Sequence, residues 1–440
     1  MRTIEEHAAA IDALVTTALA GRAPEVLPVD ASAMARSPER YRDRLLLADV
    51  LAPLDLPPFD NSQMDGYAVD SSELAASSAA GSAVLAVGTR IPAGTLPADL
   101  GPGTAAPIMT GAPIPRGADA VIPIEQADPP RFLGESAGQT VVLPAAVDSG
   151  AFVRTVGSDV RAGDLLLPAG TVLRAAHFGI LAASGVGEVG VAARPRVLVV
   201  STGSELADGG ELVPGSIHDA NAIMLASLLT SAGATVDLAR APDDAAHLLD
   251  VLREHGLGVS GRAPGASGGA PSASGDAPAP DLVVTTGGVS AGAYEVVRET
   301  FAPRGVEFGS VAMQPGGPQG WGELDLDGGR RVAVVCFPGN PVSALVSFEA
   351  FLRGPLLRAS CGRSPRRDAT ATLAEGADSP AGKHQVRRGR LDDSGLVHFV
   401  GGASSHLLHA YARSTVLVGI PVGTSRVEPG DEVVVWPLDD

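Results

Sequence analysis

Four short runs combine glycine with hydroxyl, carboxylate or amide side chains in a spacing that could do chemistry. They are Ser201-Thr-Gly-Ser-Glu-Leu206, His218-Asp-Ala-Asn221, Thr286-Gly-Gly-Val-Ser-Ala-Gly292 and Cys336-Phe-Pro-Gly-Asn-Pro341. In the third, the apolar stretch Leu282–Thr285 gives way to glycine and then to helical spacing from Tyr294. A strand feeding a glycine turn that opens a helix leaves backbone N–H groups pointing at one spot, which attracts anions. Gly287 and Gly288 can take φ > 0 and let a ligand approach the backbone. Glu205 and Asp219 are carboxylates, which together with phosphate oxygens suit Mg²⁺. Each run also has a plainer reading. Ser201–Glu205 could cap a helix, and capping accounts for one of Asp219 and Asn221 but not both. Pro338-Gly-Asn-Pro341 could be a tight turn with Pro341 in the first helical position. His218 has no nucleophile nearby and reads as a hydrogen-bonded structural residue. Cys336, at a strand end with nothing nearby to lower its pKa, reads as a core thiol.

Two further polar runs lie upstream. Pro57–Val69 packs Asp60, Asn61, Ser62 and Asp65 ahead of Gly66, and Pro107–Val121 puts Thr110 beside Gly111. Asx turns are the simpler account of the first. Two polar turns in one small domain and four in another suggest a ligand cleft between the domains.

Placing these runs needs an α/β frame. From Arg196, continuous apolar strands (197–201, 282–286, 332–336) alternate with helical stretches (221–232, 243–255, 342–357), with Asp243 as the expected cap of the second. That alternation predicts a parallel sheet covered on both faces. Ligands sit beyond the carboxyl ends of such strands, where the four runs fall. Residues 4–20 read as an amphipathic helix, 163–170 as a hairpin and 174–183 as a helix. Short apolar runs between Gly and Pro turns over 59–150 predict a β-rich domain. Strand-like runs at 416–421 and 431–436 predict a small C-terminal β domain. The expected division is therefore a discontinuous N-terminal mixed domain (1–58 and 151–193), a β-rich inserted domain (59–150), an α/β domain (194–360) and the C-terminal domain (361–440). The Gly/Ala/Ser/Pro-rich stretch 259–280 reads as a flexible insertion.

Bulk composition narrows the partners. At 440 residues the chain should hold several domains. A formal charge of −18 argues against general nucleic-acid or anionic-membrane binding, and 4% aromatic residues are too few for a base-stacking platform. Two cysteines exclude a disulfide framework or a zinc cluster and fit a reduced, cytoplasmic setting. No long apolar window escapes interruption by charge, so no membrane span is expected.

In their order along the chain, the runs Phe59-Asp-Asn-Ser-Gln-Met-Asp-Gly-Tyr-Ala-Val69, Ile108-Met-Thr-Gly-Ala-Pro-Ile-Pro115, Ser201–Leu206, His218–Asn221, Thr286–Gly292 and Phe337-Pro-Gly-Asn-Pro-Val-Ser-Ala344 resemble those of the molybdopterin molybdenumtransferase family. The resemblance covers most of the chain. It implies a three-layer molybdopterin-binding α/β domain, a β-barrel-like C-terminal domain, and a homodimer whose cleft joins the sheet domain of one subunit to the β-rich domain of the other. It implies an enzyme that inserts molybdate into adenylylated molybdopterin with release of AMP, using Mg²⁺. By motif position, Asp65, Thr110, Glu205, Asp219 and Glu295 would be catalytic, with Glu205 and Asp219 holding the metal. Ser201, Thr202, Gly203, Asn221, Gly287, Gly288, Ser290, Gly292, Pro338, Gly339, Asn340 and Pro341 would bind the pterin nucleotide. The alternatives are a non-catalytic molybdopterin carrier and the related adenylyltransferase. This chain departs from the pattern at Ala293 and Glu295, where many members carry acidic residues after the glycine run. It also reads Met313-Gln-Pro-Gly-Gly-Pro318, where many members carry lysines in place of Gln314 and Gly317. Amides of Gly316 and Gly317, or a nearby Arg, could substitute.

Overall fold

The computed structural model describes residues 1–79, 81–133, 138–207, 210–257, 279–290, 295–326, 330–362 and 368–438. Most of the 259–280 stretch, Gly292, Ala293 and Tyr294 lie outside them. The chain divides into two compact units. One comprises Met1–Glu25, Asp43–Leu45 and Val191–Asp440, and the other Val26–Arg42 and Leu46–Gly190.

The larger unit is built on a six-stranded sheet. Strands Thr235–Ala241, Arg196–Thr202, Leu282–Thr286 and Arg330–Phe337 lie side by side in parallel. Alternate residues of these strands feed two separate cores, as the period of two requires. Val197, Val199, Val284, Val335 and Phe337 pack with Leu225 and Leu229 of helix Ala220–Ser231, with Ile11 and Val15 of helix Ile4–Leu19, and with Phe348 and Phe351. Leu198, Val200, Val283, Val334 and Cys336 pack on the other side with Leu248, Leu252 and Phe301. Both faces are covered, so the strands can be continuously apolar.

Three expectations need correcting. The sheet is not wholly parallel, because Pro318–Leu326 and Val306–Ser310 extend it as antiparallel strands beyond Arg330–Phe337. The helix at 245–252 is capped by Asp244, whose carboxylate accepts from His247 N–H at 2.9 Å. Asp243 instead accepts from Ser204 N–H at 2.9 Å, because the parallel pairing brings the ends of those two strands together. Leu165–Leu167 is not half of a local hairpin but pairs antiparallel with Val50–Leu51.

This unit also holds a closed ring of five strands. His384–Leu391 pairs with both Leu396–Phe399 and Val416–Ile420, and Ala369–Leu373 and Glu432–Pro437 complete the circuit. Closure leaves no free edge. The smaller unit holds a β-rich sheet in which Gly66–Val69 lies between Thr104–Ile108 and Ala120–Pro123. Its core is formed by Tyr67, Leu85, Ile122, Val141 and Leu143. No helix among the described residues is long and apolar enough to cross a membrane.

Candidate functional site

The carboxyl ends of the parallel strands open into a cavity of about 950 Å³ in the larger unit. Thr202, Gly203, Glu205, Asp219 and Asn221 line it from the first two runs, and Gly287, Gly288 and Ser290 from the third, with Glu295 beyond its end. Pro338, Gly339, Asn340 and Pro341 line it from the fourth, and His218 is there too. Ser201 does not reach it, being wholly buried within its strand. Asp65 and Thr110 belong to the smaller unit, where they bond to each other.

Local chemistry explains how each loop is held. Gly287 (φ +91°) and Gly288 (φ +62°) take left-handed conformations. A Cβ on Gly287 would come within 2.7 Å of the Thr202 carbonyl oxygen, and one on Gly288 within 2.9 Å of the Val297 nitrogen. Glycine is required twice over at each position. Glu295 closes the same loop, its carboxylate accepting from Ser290 N–H at 2.9 Å and from the Ser290 hydroxyl at 2.6 Å. Asp219 is the helix cap, accepting from Ala222 N–H at 3.0 Å. Asn221 has a different task, donating from its amide to the Gly339 carbonyl at 2.7 Å and tying two cavity loops together. Pro341 stands at the helix start as expected.

Glu205 folds back across Gly203, so that a Cβ there would sit 2.5 Å from a carboxylate oxygen. Among the described residues no group of three His, Cys, Asp or Glu side chains forms a metal centre. The donor set near Glu205 and Asp219 is two carboxylates facing open space, which suits a cation that keeps waters and takes phosphate oxygens. Cys336 takes no part. It is fully buried, and burial pushes its thiol up to about 12.

Several cavity residues carry no motif. Lys383 lines the cavity beside Gln314, Gly316 and Gly317, and it is the only lysine in the chain. Ser310, Asp243, Ser404 and Ser405 line it too. The parallel pairing of Met313 with His384 and of Gln314 with Gln385 brings Lys383 to this edge. Ser405 is fixed where its carbonyl accepts from Val342 N–H at 3.2 Å, and the Arg388 guanidinium donates to the neighbouring Gly402 carbonyl. None of the described residues accepts from the N–H of Gly316 or Gly317. That Lys383 is unique in the sequence was the one signal that could have drawn attention to it.

In the smaller unit, the Asp65 carboxylate accepts from Thr110 N–H at 2.7 Å and from the Thr110 hydroxyl at 2.8 Å. These bonds, the backbone N–H first, hold its carboxyl below the ordinary carboxylate range.

Comparison with known proteins agrees across the chain. Residues 2–185 match the MoeA N-terminal region (domain I and II), 272–359 a probable molybdopterin binding domain, and 370–438 the MoeA C-terminal region (domain IV). The chain is 41% identical over 408 residues to molybdopterin molybdenumtransferase 2 of Mycobacterium tuberculosis, covering 90% of this chain and 92% of that protein. It is 35% identical to molybdopterin molybdenumtransferase 1 of the same organism, covering 99% and 98%. Among solved structures, it is similar to the molybdopterin biosynthesis MoeA protein of Pyrococcus horikosii, with a TM-score of 0.72, 26% identity, and coverage of 98% and 99%.

Proposed function

Because the chain belongs to the molybdopterin molybdenumtransferase family, we propose that it inserts molybdate into adenylylated molybdopterin and releases AMP. The observation that carries the reading is one cavity lined by the carboxylates of Glu205 and Asp219, two glycine turns and a single ammonium group. Catalysis is positional and electrostatic, since ligand exchange at molybdenum needs the dithiolene sulfurs held against the oxyanion. The Gly287–Ser290 turn and the Pro338–Pro341 loop hold the pterin nucleotide, and Asn221 keeps these loops in register. Glu205 and Asp219 hold Mg²⁺, which when bound neutralises phosphate charge. Thr202 and Gly203 shape the floor beside Glu205. With its carboxylate engaged by Ser290, Glu295 acts by fixing the turn.

Lys383, with the N–H groups of Gly316 and Gly317, supplies the positive edge for molybdate that lysines at Gln314 and Gly317 would otherwise provide. The protein works in the cytoplasm as a homodimer, and the Asp65–Thr110 turn of one subunit serves the cavity of the other. The fourfold domain division set out above accompanies this reading. Purified protein given adenylylated molybdopterin, molybdate and Mg²⁺ should release AMP. Release no greater than in a protein-free control would overturn the reading.

A further inference from the structure

Arg2 lies beside Val311 as a parallel bridge. Its N–H donates to the Ser310 carbonyl at 3.1 Å, and its own carbonyl accepts from Ala312 N–H at 2.8 Å. The Ala312 carbonyl in turn accepts from His384 N–H at 2.8 Å, so Ala312 is pinned between Arg2 and the residue after Lys383. Val311 N–H donates to the Gly317 carbonyl at 2.7 Å and closes the neck of the 310–317 loop.

The Arg2 side chain spans both legs of that loop. Its guanidinium pairs with Glu307 at 3.1 Å on the strand entering the loop. It also stacks 4.1 Å from the ring centre of Trp321 on the strand leaving it. The helix cap at Thr3 is a separate feature, bonded reciprocally with Glu6.

We propose that Arg2 is a positioning residue for the oxyanion edge of the cavity, clamping the 310–317 loop so that Ser310, Gly316, Gly317 and Lys383 keep fixed places. Arg2 does not line the cavity and touches no substrate. Donors already in place cost less to order when an anion binds, so the clamp acts on affinity. The inference rests on the molybdate reading above for its kinetic consequence, but not for the clamp itself.

The test compares Arg2→Lys, Arg2→Ala and Arg2→Pro in the full chain with Thr3→Ala, which loosens the helix cap and leaves the bridge intact. Proline removes both the guanidinium and the bridging N–H. AMP release gives kcat and the KM for molybdate, and hydrogen exchange follows residues 310–317. KM should rise in the order Lys, Ala, Pro, reaching about five- to tenfold for proline, the scale of one hydrogen bond plus one cation–π contact. At saturating molybdate, kcat should stay within about twofold, as expected when ground-state and transition-state binding weaken together. Thr3→Ala should lower the melting temperature without moving KM. Unchanged exchange over 310–317 in Arg2→Pro would overturn the clamp, and so would a KM shift shared equally by Thr3→Ala. Should the unaltered protein release no AMP, the molybdate reading fails on its own. Faster exchange in Arg2→Pro would then still support the clamp, and unchanged exchange would still overturn it.

Discussion

The two polar clusters of this molecule are built on opposite principles. In the smaller unit, Asp65 and Thr110 satisfy each other, with both the N–H and the hydroxyl of Thr110 given to one carboxylate oxygen. In the larger unit, Asn221 ties two loops together through Gly339 and Glu295 closes its own loop on Ser290, while none of the described residues accepts from the N–H groups of Gly316 and Gly317. A closed pair presents a shape, whereas an open edge presents unused donors at fixed places. The second costs folding stability and is kept where something must bind.

The contrast is tested most severely at Asp219, which serves both as helix cap and as a proposed metal carboxylate. Asparagine caps as well as aspartate but carries no charge. Asp219→Asn should therefore leave the melting temperature nearly unchanged and cut the rate of AMP release by about 10²–10³, the scale of losing one preorganised electrostatic group. Equal losses of stability and rate would reduce Asp219 to a cap.

Acid should separate the units next. His7 is fully buried, with its ring edge-on to Trp321 and Phe351 at 4.7 and 4.6 Å. Burial, with the Arg2 charge adding to it, lowers its pKa to about 4 from an ordinary 6.5. The folded chain refuses a proton that the unfolded chain takes, so stability is complete above about pH 6.5 and declines as the pH falls to about 4, by roughly 3 kcal/mol. Calorimetry should show the transition of the larger unit moving down over that range and His7→Leu flattening the slope. A slope that His7→Leu leaves intact would point to another group.

A smaller effect is expected at Lys383. Replacing it with alanine should raise the KM for molybdate about tenfold, as for one charge-assisted hydrogen bond, and arginine should restore most of the affinity. An alanine variant with unaltered KM would assign the anion edge to the glycine amides alone. Mixing Asp65→Asn with Asp219→Asn protein should restore activity to about a quarter of the sites if subunits exchange at random and the cavity is shared across a dimer. No recovery in a demonstrably exchanged mixture would count against sharing.

Much of this was readable in the chain because a buried parallel strand must be continuously apolar and must stop where glycine starts. That made Leu282–Gly288 and Val332–Pro341 visible, and with them Gly287, Gly288, Pro338, Gly339, Asn340 and Pro341 of the cavity. What stayed hidden depended on contacts between distant parts of the chain. Pro318–Leu326 mixes proline, glycine and acidic residues and becomes a strand only because Arg330–Phe337 pairs with it. Asp243 and Asp244 are equivalent caps by sequence, and the choice is made by Ser204. Lys383 and Ser405 arrive from the closed ring, beyond the reach of any local pattern.

The solitary lysine also makes this protein unusually easy to interrogate. Apart from the α-amino group, its ε-amine is the only primary amine the sequence supplies, and it stands exposed on the cavity wall. A single acylating reagent therefore amounts to a footprint of the cavity, with no background to subtract from other lysines. Whatever fills that space should shield the Lys383 peptide and leave the labelling of the α-amino group unchanged as an internal standard.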